Sequence, residues 1–309
     1  MSNTLCQLRC WTKESIDREC KSAYRAYEGV VIDRYSRYFA ARPHLRCPRQ
    51  RYSARSLAAA LPPGLSALQQ LIPSEHLHRY ARSGRSSQVL GLALLGAAVI
   101  RDPTLNWFWR AIGLSHLGTT DSCNCFKFEH ALAPSDLDEY PRVTKLDLSV
   151  ANSAAFAAIE TKWSEPGLGI CSCVKDEEGN PVAGHYCASR VATRSAYWRV
   201  AQENFGFERE RLSQLPCPVS VAYQAVRSVA AARHFAGPKW AVFVLIFDEN
   251  NPYFSRTGKW PGWPDILETT LADGRGLLYR AISWRKLIPL LPLSPEVLDW
   301  AASKHRLFF

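Results

Sequence analysis

Asp147, Glu160 and Lys162 are the residues of this sequence whose types and spacing suit chemistry. Glu160 and Lys162 close the apolar run AFAAIETKW (155–163) as carboxylate, spacer and ammonium. On a strand, residues i and i+2 share a face, so both charges point the same way out of a segment otherwise composed for burial. Charges at the end of a core strand carry a desolvation cost unless something uses them. The run before it, VTKLDLSV (143–150), also reads as a strand, with ANSA between the two as a turn. A hairpin centred on 152–154 sets Asp147 opposite residues 158–160, and one choice of register brings its carboxylate beside that of Glu160. Two neighbouring carboxylates do not both ionise in a core without a cation. Hard oxygen donors suit Mg²⁺ or Mn²⁺, which keep several waters and also bind phosphate. Lys162, one pleat along, is then placed to orient or deprotonate an attacking water, or to stabilise charge on a phosphorane.

A Glu-x-Lys pair alone is a weak signal, and the sequence holds its own control. Glu19-Cys20-Lys21 has the same spacing in a charged, helical context with no partner strand. The bland alternative for residues 160–162 is a salt bridge at a strand end, which contributes little.

The elements that must position these residues follow from periodicity. Residues 13–40 carry apolar and aromatic positions at three- and four-residue spacing and read as a helix. RPHLRCPRQRYS (42–53) reads as a loop broken by two prolines. Residues 86–100 read as an apolar helix capped at Ser86 or Ser87. The first 120 residues or so thus look mostly helical. After CFKFEHAL (125–132) and the hairpin, residues 192–205 and 219–235 read as helices. WAVFVLIFD (240–248) reads as a strand buried on both faces, GLLYRAISW (276–284) as another strand, and SPEVLDWAASKH (294–305) as a closing helix with Pro295 at its first position. Strands alternating with helices after a hairpin give an α/β core with a mixed sheet.

With 47% apolar and 21% charged residues in 309, the chain can bury a large core. Its longest apolar stretch, residues 89–100, is too short for a bilayer crossing. The N-terminus lacks the pattern of an export signal, so a cytoplasmic protein with no membrane partner and with reduced thiols is expected. Cys123 with Cys125, and Cys171 with Cys173, form two C-x-C pairs. They could ligate a metal, or pack as small apolar residues. His130, His185 and His234 have no ligand-like spacing. The net charge is +10, and residues 1–55 hold ten Arg and two Lys against five acids, interleaved with Tyr24, Tyr27, Tyr35, Tyr38 and Tyr52. Arginine with aromatics suits phosphate contact with base stacking. The alternative is a solvated helical face whose tyrosines pack inward.

Asp147 followed by Glu160-x-Lys162 on the next strand resembles the PD-(D/E)xK nuclease superfamily, the fold of many restriction endonucleases. SSQVLGLALLG, ETKWSEP and FVLIFDENNPYF resemble a bacterial branch of restriction endonucleases, over roughly residues 85–309. The resemblance implies a restriction-endonuclease-like mixed β-sheet core flanked by helices at 85–309, behind a basic, mostly helical region at 1–84. It implies DNA as partner and Mg²⁺ or Mn²⁺ as cofactor, held by Asp147, Glu160 and Glu129, whose place in FKFEHAL matches an additional acid of many members. Lys162 would act at the nucleophilic water. On the helix at 219–235, Gln224, Arg227 and Ser228 form one polar stripe, and a glutamine there faces the active site in several branches. Arg227, with Arg46, Arg49 and Arg51, would contact nucleic acid. A homodimer is expected if both strands are cut. Two departures stand out: Leu146 precedes Asp147 in place of proline, and Ser228 stands where the exonuclease-like branch has tyrosine. Glu165 either reaches a second metal or ends the strand.

Two other classes remain: a nucleic-acid-binding protein that keeps the fold without the activity, and an interaction module built on a metal held by the cysteine pairs.

Overall fold

The computed structural model describes residue 8 and residues 11–72, 76–77, 80–118, 124–137, 144–169, 196–206, 220–271 and 276–306. Its first element is a long helix, α1 (Lys13–Ala40). Thr12 and Ser15 start it reciprocally: the Ser15 amide donates to Thr12 Oγ1 at 3.2 Å, and the Thr12 amide to Ser15 Oγ at 2.8 Å. Then come two short strands, β1 (Arg46–Cys47) and β2 (Gln50–Ala54), and helix α2 (Leu57–Ala60). The segment 42–53 is therefore not the loop its prolines suggest. β1 and β2 pair antiparallel, because Pro48 sits in the turn and costs the ladder no donor.

An unbroken helical run follows as α3 (Ser87–Gly91), a π-helical segment at Leu92–Gly96 and α4 (Ala97–Arg101). Ser86 caps it, as the sequence suggests, by accepting from the Val89 amide. Helix α5 (Asn106–Ala111) completes this half.

The sheet is built from β3 (Cys125–Ala131), β4 (Lys145–Ala151), β5 (Ala155–Thr161), β6 (Trp240–Phe247) and β7 (Leu277–Ser283), in the order β3-β4-β5-β6-β7. The β3–β4 and β4–β5 pairs are antiparallel, and β5–β6 and β6–β7 are parallel. This is the mixed α/β sheet expected. Helices α6 (Ala196–Phe205) and α7 (Tyr223–Ala236) precede β6. Helix α8 (Trp263–Thr270) lies between β6 and β7, and α9 (Trp284–Leu287) and α10 (Pro295–His305) close the chain. The turn between β4 and β5 is set by Asn152, whose Oδ1 accepts from the Ala154 and Ala155 amides at 2.9 and 2.8 Å.

The two faces of the sheet feed two cores. Ala157, Ile159, Val242, Val244 and Ile246 pack with Tyr35, Leu90 and Trp284. The alternate residues Phe156, Ala158, Phe243 and Leu245 pack with Val226, Val229 and Ala230 of α7. A sheet covered on both sides explains why β5 and β6 read as continuous apolar runs. Among the described residues, no helix is long and apolar enough to cross a membrane.

Candidate active site

Register aligns the candidate acids. Leu148 pairs with Ile159, so Asp147 and Glu160 stand one step further along, opposite each other. On the other side Phe128 pairs with Leu148 and His130 with Leu146, which sets Glu129 opposite Asp147. Three carboxylates thus lie at one level across three adjacent strands. The β4–β5 ladder ends at Leu148–Ile159, and beyond it Asp147 reaches across to β5. Its Oδ2 accepts from the Thr161 amide at 2.8 Å and from Thr161 Oγ1 at 2.9 Å. Glu129 has φ of +46°, a left-handed conformation inside a strand. This costs a side-chain-bearing residue about 1–2 kcal/mol. Strain of this kind gathers at functional sites.

Glu160 and Lys162 are 3% and 4% exposed, with Lys162 Nζ 2.7 Å from Glu160 Oε1. The opening pair is therefore a buried ion pair, where desolvation is large and geometry decides the outcome, and not a surface salt bridge. Ser228 of α7 donates to Glu160 Oε2 at 3.4 Å. Burial alone would lower the Lys162 pKa, but Glu160 and then Asp147 outweigh it and hold the ammonium charged, above its ordinary value. Asp147 goes well above the ordinary carboxylate range through burial and then repulsion by Glu160. Glu129 is pushed up to about 7, mainly by burial, against partial relief from a Gln88 hydrogen bond.

The strand end that carries Lys162 is clamped from the N-terminal helix. Tyr24 donates to the Ser164 carbonyl at 2.6 Å, and Tyr27 reaches the Trp163 carbonyl at 3.0 Å and Asp248 Oδ2 at 2.7 Å. Trp163 Nε1 donates to Tyr35 at 2.8 Å. These tyrosines face inward, as do the buried Tyr38 and its neighbour Phe39, which is the packing alternative of the sequence reading.

Asp147, Glu129 and Lys162 border an open cleft of about 580 Å³, whose other walls include Arg85, Gln224 and Tyr52. Gln224 also borders the cleft, and its side chain lies over Gly169. That glycine has φ of +73°, and a Cβ on it would come within 2.8 Å of Gln224 Oε1. Glu165 also borders the cleft. Its Oε1 accepts from the Ser87 hydroxyl at 2.6 Å and its Oε2 from the Trp163 amide at 2.8 Å, which ties the start of α3 to the end of β5. Arg85 is held by Glu28 at 2.5 Å.

Sequence reasoning missed Arg85, Gln88 and the structural work of Ser87. Their only signal was the cap-like SSQ, and packing rather than local pattern brings that segment to the acids. Ser228 stood on the polar stripe without an assigned partner. Arg227, from the same stripe, donates its Nε to Thr144 Oγ1 at 2.9 Å and lies over the Tyr223 ring, away from the cleft walls. Arg46, Arg49 and Arg51 are exposed on the β1–β2 ribbon. Glu19, of the control pair, lies on α1 and accepts from the Lys259 amide. His130 meets Ser149 at 2.9 Å, and His234 is 3.6 Å from Asp136. His185, Cys123, Cys171 and Cys173 lie outside the described residues; Cys125 is a free, exposed thiol.

Among the described residues, no three His, Cys, Asp or Glu side chains already form a coordination shell. Glu160 is turned to Lys162 and Ser228, and one oxygen of Asp147 to Thr161. The donor chemistry nevertheless fits a hard divalent ion. All three are carboxylates, two of them border the cleft, and burial together with the charge of Glu160 raises the pKa of both, which a nearby dication relieves.

The model of one protein family, Restriction Endonuclease associating with ARP, matches residues 18–303. No curated protein and no solved structure matches.

Proposed function

This chain belongs to the family of restriction endonucleases associating with ARP, and from that premise we propose that it is a nuclease of the PD-(D/E)xK kind, hydrolysing phosphodiester bonds in DNA with Mg²⁺ or Mn²⁺. The observation that carries this reading is the level row Glu129, Asp147 and Glu160, joined by Lys162 at the wall of one cleft.

Asp147, Glu160 and Glu129 would hold the ion. When bound, it supplies Lewis-acid charge that lowers the pKa of water and neutralises charge on phosphate. Lys162 stays protonated beside Glu160, so it serves as a fixed positive charge where negative charge develops on the phosphoryl oxygens. That choice follows from the buried pair; a lysine held above its ordinary pKa is a poor base. Glu160 aims Lys162, and Ser228 steadies Glu160. Gln224 offers an amide to water or to a phosphate oxygen. Arg85 adds a second cation to the lining of the cleft.

Incubation with plasmid, linear duplex and single-stranded DNA tests this directly. Cleavage should appear with Mg²⁺ or Mn²⁺ and vanish with chelator; its absence on all three substrates would overturn the reading. A second readout needs no turnover. The raised pKa of Glu129 means that the folded protein holds a proton that the unfolded chain gives up near 4.5. Its contribution to stability is therefore full below about 4.5 and is lost as pH rises through about 7. In chelator, the melting temperature should fall over that window, and less so in Glu129→Gln. Mg²⁺ should restore it above pH 7 in the parent protein. A metal-independent melting curve at pH 8 would remove the ion from this site.

A further inference from the structure

The β1–β2 ribbon stands outside the five-stranded sheet, yet it forms part of the catalytic wall. It is fixed in place: the Ala54 amide donates to the Arg82 carbonyl at 2.9 Å, the Gly84 amide to the Tyr52 carbonyl at 3.1 Å, and Ser53 bridges Ser83. Strand alternation splits its side chains between two faces. Gln50 and Tyr52 line the cleft that holds Asp147 and Lys162, together with Tyr80. Arg51 points to the other face.

The chemistry of this wall differs from that of the acids. Tyr24, Tyr27 and Tyr35 of α1 turn into the protein, whereas Tyr80 is 50% exposed at the cleft and Tyr52 is half-buried there. Ser53 Oγ donates to Gln50 Oε1 at 2.9 Å, which engages the amide oxygen and leaves the NH₂ group as a donor. Aromatic faces beside an oriented amide are what a nucleobase binds, by stacking and by an edge hydrogen bond. The cleft volume, about 580 Å³, falls in the range of small-ligand pockets, about 300–1,000 Å³. That is room for one nucleotide unit.

We propose that the wall formed by Gln50, Tyr52 and Tyr80 is a subsite for an unstacked nucleobase beside the phosphate to be cut, so that the substrate is single-stranded or locally opened nucleic acid. This deepens the nuclease reading and rests on it for the identity of the cleft. Arg46, Arg49 and Arg51 then grip the sugar-phosphate backbone independently of base identity.

Binding measured in chelator tests the subsite without turnover. The probes are a labelled single strand, the same strand with one abasic residue scanned along it, and a perfectly paired duplex. The wild-type protein should prefer the natural strand and lose affinity at one abasic position. Tyr52→Ala and Tyr80→Ala should each weaken the natural strand by about tenfold, within the range for one lost stacked base, without weakening the strand abasic at that position. Tyr52→Phe should bind normally. Replacing Arg46, Arg49 and Arg51 together by Ala should weaken natural and abasic strands alike and flatten the salt dependence, by about 0.7 per lost contact. Equal losses on natural and abasic strands in the tyrosine variants would overturn the proposal. So would duplex binding as tight as single-strand binding, or failure to bind the single strand at all. A positive binding result with no metal-dependent cleavage would instead sink the nuclease reading and leave the subsite standing.

Discussion

Glu160→Ala should reduce cleavage to background, while Glu19→Ala leaves the single-turnover rate at its parental value. The two glutamates share the Glu-x-Lys spacing and nothing else. Glu19 sits on α1 and caps the Lys259 amide at 2.8 Å. Glu160 stands beside Asp147 at the level of Glu129 and holds Lys162 at 2.7 Å. Its removal takes away a carboxylate of the proposed ion site and the anchor of Lys162 together. Because Lys162 then loses its paired carboxylate, the variant needs a companion, Glu160→Gln, which keeps shape and hydrogen bonding but not charge. That variant should fold and remain inactive. Matched losses in Glu19→Ala and Glu160→Ala would mean that the catalytic pair has been assigned to the wrong place.

Lys162→Ala has the second large effect, and it falls on two quantities. Turnover at saturating DNA should drop by about a hundredfold or more, the scale of a lost catalytic group. Stability should drop as well. Removing one partner of a buried pair leaves the other uncompensated, at a cost of about 3–5 kcal/mol, and Glu160 is only 3% exposed. The double variant Glu160→Ala with Lys162→Ala separates the two. It should recover much of the stability, since no lone charge remains, and none of the activity. Comparison of the three melting temperatures with the three rates makes the check. A folded Lys162→Ala protein that cleaves at the parental rate would remove the ammonium from the chemistry.

Much of this site could be read from the sequence because it is built from short-range geometry. Asn152 and the alternation on either side of it fix the β4–β5 register, and the register alone brings Asp147 to Glu160. The long periodic stretch at α1 and the apolar runs of β5 and β6 were legible for the same reason: burial of one stripe or of both faces writes itself into composition. What stayed hidden depends on contacts distant in sequence. Nothing local to Ser87 says that its hydroxyl meets Glu165, 78 positions away. The ribbon at 46–54 was lost because Pro48 and Pro43 signal breaks, and two- and five-residue strands leave too little pattern to outweigh them. The tyrosines of α1 could be read two ways, as stacking partners or as packing inward, and only the fold decides between them. Their spacing beside arginines suits nucleic acid, but helical geometry turns Tyr24, Tyr27 and Tyr35 inward to the end of β5. Helix α8 went unread although Pro264 and Asp265 stand in its first turn, as helix starts prefer.

Tyr35 accepts from Trp163 at 2.8 Å and lies 2.5 Å from His305 Nδ1, while Arg34 donates to the His305 carbonyl at 2.5 Å. One turn of the first helix thus binds both the middle of the chain and its last described helix, across 128 and 270 positions. Helix α1 forms on local contacts, but the segment following Lys162 has its full support only when α10 packs against that helix. Loop closure over such spans comes late in assembly. The candidate site therefore tightens among the last steps of folding, when the segment after Lys162 is locked between the first helix and α10.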